Sequence, residues 1–200
     1  LVLAGGVALN CVANGKLLKS NIFKKIWVQP AAGDAGGSLG SAYCAHHIYL
    51  NKDRNANPNA DTMQGSYLGP CYSNAAIESL SYCHNATMSH MNWSDLYEKV
   101  ADFISNGKVV GWFQGRMEFG PRALGARSIL ADPRNPDMQK KVNLKIKYRE
   151  GFRPFAPSVL EEDAQNYFDI NSTSPYMLLV APVNQSIEKT LPKDYDELAL

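Results

Sequence analysis

Two short apolar runs, each stopped by a turn residue and followed by a helical period, restrict what residues 1–50 can fold into. "LVLA" ends at Gly5-Gly6, and "VALNCVANGKLLKS" follows with helical spacing. "KKIWVQP" stops at Pro30, and "AAGDAGGSLGSAYCAHHIYL" then opens glycine-rich and becomes helical. Strand–helix–strand–helix order predicts a parallel sheet, because parallel neighbours need a crossover and a helix supplies it. Ligands of such sheets dock beyond the carboxyl ends of the strands. Both glycine turns fall there, and the class is α/β.

Further along, residues 51–66, "NKDRNANPNADTMQGS", are polar and Asn-rich and read as a linker or surface excursion. A mixed segment with one short helix follows, so 51–90 connects two parts. Asp95 and Glu98 read as a capping pair before "LYEKVADFIS". There Leu96, Val100, Phe103 and Ile104 share a face, and Asn106-Gly107 ends the helix. "KVVGWFQG" reads as a strand, and Met138, Val142 and Ile146 give "NPDMQKKVNLKIKYREG" a helical period after Pro136. "FRPFAPSVL" reads as an extended strand, "EEDAQNYF" as a helix and "YMLLVAPV" as a buried strand. The chain lacks an initial methionine and reads as a fragment with neighbouring sequence at both ends.

Charge is concentrated. Between Lys108 and Arg153 eleven basic residues face Glu118, Asp132, Asp137 and Glu150, a local +7 inside a chain of net +1. Such a field points to an anionic ligand or, equally, to a solvated basic face. The four cysteines form no CxxC pair or zinc-ligand spacing, so reduced thiols and a cytoplasmic setting are expected. No apolar run reaches the ~20 residues that span a bilayer, so no membrane association is expected.

Three motifs carry the chemistry, each with a plain alternative. "AGGVALN" lacks the third glycine of a dinucleotide fingerprint and is not a Walker loop. It is either a tight turn or a place where a ligand meets backbone amides near a helix start, at Gly5 and Gly6. In "PAAGDAGGSLGSA", Asp34 stands among Gly33, Gly36 and Gly37 after a strand. Its carboxylate suits a metal ion bridged to phosphate, or caps the helix. The stretch "GRMEFGPRALGARS" fixes Arg116, Arg122 and Arg127 between glycines and a proline, where planar forks grip phosphate or carboxylate. Lys147 and Arg149 would point the same way if extended, and Arg153 is held by an Arg-Pro turn. His46 and His47, helical neighbours, face different directions; His84 and His90 lack partners. Phe113, Phe119 and Phe155 read as core residues, which argues against a nucleic-acid-binding module built on the basic 108–153 segment.

"LAGGVALNCVANGKL", "VQPAAGDAGGSLGSA", "FQGRMEFGPRALGARSILADPR" and "IKYREGFRPFAPSV" closely resemble the O-carbamoyltransferases of nodulation-factor and antibiotic biosynthesis (the NodU/CmcH family). The likeness runs through almost the whole chain and is least typical over 51–65. It implies a C-terminal piece of an actin/sugar-kinase-type ATPase-like domain over 1–50, a connecting segment over 51–90, and a truncated YrdC-like domain over 91–200. It implies that carbamoyl phosphate and ATP, with Mg, give carbamoyl-adenylate with release of pyrophosphate and phosphate. Carbamoyl transfer to a hydroxyl of a sugar-containing or natural-product acceptor follows, at a site holding a transition metal, iron in the family.

By resemblance, Asp34 is the metal ligand, and Gly5, Gly6, Gly33, Gly36 and Gly37 contact the nucleotide. Lys147 and Arg149 are the K-x-R pair that grips carbamoyl and phosphate groups. Arg116, Arg122, Arg127 and Arg153 fall in the substrate- and phosphate-binding blocks. The family's metal-binding histidines are expected before Leu1, and the S-x-N motif facing the K-x-R pair after Leu200. Each site is therefore expected to be represented by one wall, and the piece alone to be inactive.

Overall fold

The computed structural model describes residues 1–57 and 60–190. They form a mixed α/β chain grouped into two compact units. The first comprises Leu1–Cys71, Gln114–Arg127 and Phe168–Pro182; the second comprises Tyr72–Phe113, Ser128–Tyr167 and the described stretch from Val183 on. Each unit draws on three stretches, so spatial grouping and the contiguous division 1–50, 51–90 and 91–200 describe different things.

In the first unit β1 (Val2–Leu3) pairs in parallel with β2 (Trp27–Val28), Val2 opposite Trp27 and Leu3 opposite Val28. The crossover is α1 (Cys11–Lys19), preceded by a 3-10 turn over Gly6–Leu9. The side chain of Asn10 caps α1 by accepting from the Ala13 amide at 3.1 Å. After β2, α2 (Asp34–Cys44) begins at Gly33 and loosens into a π turn over Ala45–Tyr49. Within that turn the His46 and His47 rings meet edge to face 4.9 Å apart, closer than neighbours facing apart would come.

Among the described residues the expected strand "YMLLVAPV" joins neither two-stranded sheet: the Pro182 carbonyl accepts from the Asp169 amide, and further backbone groups find partners on α1. The Val180 amide donates to the Cys11 carbonyl, and the buried Asn14 amide donates to Ala8 O and Leu178 O. Gly15 permits this approach, since a Cβ there would run into the Val180 carbonyl. Ala8, Ala31, Ala32, Met63, Ala126 and Leu178 are the buried apolar residues here.

The second unit holds α3 (Asn74–Cys83), α4 (Trp93–Ser105), β3 (Val110–Phe113), β4 (Arg127–Leu130), α5 (Met138–Lys145) and α6 (Ala164–Tyr167). The strands β3 and β4 form a two-stranded sheet, β4 starting on Arg127, the last residue of the first unit's middle stretch. The cap of α4 is Asn92, whose side chain accepts from the Asp95 amide at 2.9 Å; Asp95 sits three residues inside. Along α4, Leu96, Val100 and Ile104 are the half-buried positions, while Phe103 is exposed. In α5, Met138 and Val142 supply the buried apolar face.

Among the described residues "FRPFAPSVL" also joins no sheet. Pro154 and Pro157 lack donors, and the Phe152 and Arg153 carbonyls accept from Gln139 of α5. Phe113 and Phe155 are exposed rather than core. Among the described residues no helix is long and apolar enough to cross a membrane.

Candidate functional site

The two glycine turns lie together at the carboxyl ends of adjacent parallel strands, joined where the Gly5 amide donates to Ala32 O at 2.7 Å. Gly5 has φ 91, a conformation that glycine adopts without penalty. A Cβ at Gly5, Gly6, Gly33 or Gly37 would meet nothing within 4 Å, so this side of both turns is open. Gly36 differs: its amide donates to Ala31 O, and a Cβ would collide with that carbonyl, so it serves the turn itself. Asp34 is the exposed first residue of α2, and no side chain caps that helix. Its carboxylate is thus unspent on capping. Among the described residues no three His, Cys, Asp or Glu side chains gather to hold a metal ion. Asp34 fits a metal as a single donor and no more.

The loop "GRMEFGPRALGARS" is organised by its one acid. Glu118 is buried and accepts from the Leu124 amide at 2.6 Å, the Ala126 amide at 2.8 Å and Arg127 Nε at 2.8 Å. Burial works against its charge, but the Arg127 guanidinium and the Leu124, Glu118 and Ala126 amides outweigh it, holding the carboxyl at about 2. Arg127 also donates to the carbonyls of Gly120 and Arg122, so its fork is occupied by the loop.

Arg122 reaches out of the loop to Leu9 O at 3.0 Å, in the turn after Gly5-Gly6. Among the described residues its buried Nε has no partner, so the contact leaves one donor unmatched. Gly120, at φ 115, lies so close to Ala31 that a Cβ would come within 2.8 Å of the Ala31 Cβ. The loop is therefore seated on both glycine turns.

The segment read as a linker forms the loop's other support. Residues 51–57 are exposed and residues 58 and 59 lie outside the described residues, but 61–70 is tied in. Phe119 N donates to Ser66 O at 2.6 Å, Gly69 N to Met117 O at 2.9 Å, and Met117 N to Pro70 O at 3.0 Å. Tyr67 Oη donates to Leu124 O at 2.7 Å. Asp61 accepts from the Met63 and Gly65 amides and from Tyr176 Oη. Burial and the Asp61 carboxylate push the Tyr176 hydroxyl up to about 12.

Lys147 and Arg149 belong to the second unit, as does Arg153; Arg116, Arg122 and Arg127 belong to the first. The segment after α5 is not extended: Tyr148 adopts φ 49 between them. Lys147 is exposed. Arg149 donates from Nε to Asn143 Oδ1 at 2.7 Å and stands 5.1 Å over the Phe155 ring. Fully buried Asn143 also donates to Gly151 O and Arg153 O, closing the turn, while Arg153 pairs with Glu150.

Glu118, Asn143 and Asp61 were not singled out by sequence. Glu118 had a signal, being the lone carboxylate among three arginines; Asn143, one place after Val142 in a helical period, had none.

Residues 101–195 match the carbamoyltransferase C-terminus family and residues 1–43 the carbamoyltransferase N-terminus family. The chain is 54% identical over 200 residues to an uncharacterized protein of Synechocystis sp., covering 99% of this chain and 32% of that protein. It is 45% identical over 190 residues to the nodulation protein NolNO of Sinorhizobium fredii, covering 93% of this chain and 27% of that protein. It is 30% identical over 189 residues to the 3'-hydroxymethylcephem-O-carbamoyltransferase of Amycolatopsis lactamdurans, covering 93% and 33%. The chain thus spans about a third of the length of the curated relatives it matches. Joining both matched regions in one chain, it belongs to the carbamoyltransferase family.

Proposed function

We propose that the full-length protein carrying this chain is an ATP-dependent O-carbamoyltransferase. Carbamoyl phosphate and ATP give carbamoyl-adenylate, and the carbamoyl group then passes to a hydroxyl of a small-molecule acceptor. In this reading residues 1–50 belong to an ATPase-like transfer domain and 91–200 to a YrdC-like activating domain, in a cytoplasmic protein.

The observation that supports it is the pair of open glycine turns, held side by side by Gly5 N–H to Ala32 O. The open face of these turns, at a helix start without a side-chain cap, suits nucleotide phosphates, although the Gly5, Gly36 and Gly37 amides are already spent on the Ala32, Ala31 and Gly33 carbonyls. Asp34, beside them, would be one ligand of the transfer-site metal, which would polarise the reacting groups as a Lewis acid. Lys147 and Arg149 would hold carbamoyl phosphate, with Asn143 and Phe155 fixing the Arg149 plane. Arg122 and Arg127 would act chiefly by shaping the loop, since their forks engage its carbonyls and Glu118.

The test is pyrophosphate exchange into ATP dependent on carbamoyl phosphate, together with carbamoyl transfer to a panel of hydroxyl acceptors. No exchange and no transfer with the full-length protein would refute the reading. One observation favours a second reading: Tyr148 and Phe152 are 84% and 75% exposed among Lys147, Arg149 and Arg153, the interleaving that stacks on single-stranded bases. Salt-dependent binding of a single-stranded oligonucleotide, lost in Tyr148→Ala, would support that reading instead.

A further inference from the structure

We propose that Tyr148, in the turn after α5, is a stacking platform for the nucleobase of ATP and so sets nucleotide preference there. That the nucleotide is ATP rests on the carbamoyl-transfer reading; the platform itself rests on the conformation and surroundings of Tyr148.

Tyr148 is strained and gains no burial in return. Its φ of 49 is left-handed, a rare state for a bulky side chain. Three of the other described non-glycine residues in that state are Asn21, Asn51 and Asn85, and asparagine tolerates it; Tyr148 is the aromatic one. Its side chain stands in solvent: the residue is 84% exposed. Among the described residues the hydroxyl has no hydrogen-bond partner and the ring no aromatic or cationic one.

The helix beside it imposes the strain. On either side of Tyr148, Lys147 N donates to Val142 O and Arg149 N to Asn143 O, both at 3.0 Å. Fully buried Asn143 donates to Gly151 O and Arg153 O, and Gln139 to Phe152 O and Arg153 O. These anchors are backbone groups and two amide side chains, so none of them needs a phenol at 148. A strained residue kept rigid while its ring stays in solvent points to a ligand for that ring.

Charge selects the ligand. Exposed Lys147 precedes the ring in the chain, and Arg149, its plane set by Asn143 and Phe155, follows it. Phe152, 75% exposed, places a second ring on the same turn. Aromatic surface beside cations suits a planar base carried on phosphate. A single strand of nucleic acid would need successive platforms along a basic groove. Here Arg153 is paired with Glu150 and Arg149 is held by Asn143, which leaves charge for one short anionic group.

The experiment is photolabelling of the full-length protein with trace 8-azido-ATP, mapped by peptide mass spectrometry, in competition with ATP or inorganic tripolyphosphate. Label is expected within residues 138–155, displaced by ATP at about tenfold lower concentration than by tripolyphosphate, which carries charge without a base. Glycine adopts φ 49 without strain, so Tyr148→Gly removes the ring and leaves the turn. In that variant the ATP concentration for half displacement should rise about tenfold, while that for tripolyphosphate stays unchanged. Tyr148→Phe, which keeps the ring and discards a hydroxyl without a partner, should restore the wild-type value. The platform is overturned by absence of label in 138–155, by an unchanged ATP value in Tyr148→Gly, or by equal weakening of ATP and tripolyphosphate. Failure of Tyr148→Phe to restore binding, or a loss confined to a single-stranded oligonucleotide, would overturn it as well. Failure of the carbamoyl-transfer reading shows separately, as absent pyrophosphate exchange in the wild type.

Discussion

Replacing Glu118 by Gln removes the charge around which the Arg-Gly-Pro loop is wound, at nearly constant volume. The folded carboxyl titrates at about 2 against an ordinary 4.5. At ~1.4 kcal/mol per pH unit, that interval is worth about 3 kcal/mol at neutral pH. The figure agrees with the ~3–5 kcal/mol lost when one member of a buried ion pair is deleted. Because the folded value is depressed, this stability is complete above 4.5 and is lost as pH falls through about 2. The advantage of the wild type over Glu118→Gln should therefore be about 3 kcal/mol at pH 7 and only ~1.4 kcal/mol at pH 3. Amide exchange at Leu124 and Ala126, whose N–H groups Glu118 accepts, reads this directly in the full-length protein. Opening should rise ~10²-fold at neutral pH, with a smaller ratio in acid. Equal protection in the two proteins, or a gap independent of pH, would refute the assignment of Glu118 as the loop's organising charge.

Asp34→Asn should lower carbamoyl transfer by ~10²-fold or more while pyrophosphate exchange survives, since a metal ligand at the transfer site is removed and activation is not. Equal loss of both half-reactions would contradict that assignment. Arg149→Lys forfeits the Asn143 bond and the Phe155 contact, and pyrophosphate exchange should fall by ~10–150-fold for a lost charge-assisted bond. Gly120→Ala meets both the Ala31 methyl and φ 115, and thermal unfolding should report a loss of ~1–3 kcal/mol. Tyr176, raised to about 12 by burial and the Asp61 carboxylate, should show phenolate absorbance only near that pH. In Asp61→Asn the Tyr176 transition should move down toward 10, and an unmoved transition would contradict the contact.

The strand–helix alternation of 1–50 was legible because hydrophobic period and turn chemistry are local. Val2–Leu3, Trp27–Val28 and the helices after them stand where those signals place them. What failed was whatever tertiary partners decide. "YMLLVAPV" has a strand's composition, yet Asn14 and Gly15 of α1 take its backbone. Asp95 looks like a cap, but Asn92 three residues earlier accepts the amide. Residues 51–66 read as linker because polarity and Asn content signal exposure, while nothing local announces the bonds that 66–70 make to 117, 119 and 124. At the site, the arginines were visible and their employment was not. Glu118 and three backbone carbonyls occupy two of the forks, and only folding brings Leu9, Gly120 and Arg122 within reach.

Ala31 and Gly120 share a volume too small for one additional methyl group. One residue belongs to the stretch that matches the N-terminal family region and the other to the stretch that matches the C-terminal one. The two regions are therefore not freely exchangeable modules. A chimera that takes residues 1–43 from a relative with a larger residue at position 31 would carry a steric mismatch into the loop at 120, even with every Arg-Gly-Pro residue retained. The allowed sizes at 31 and 120 form one joint constraint, so compatible chimeras must inherit both positions from the same parent or keep both small.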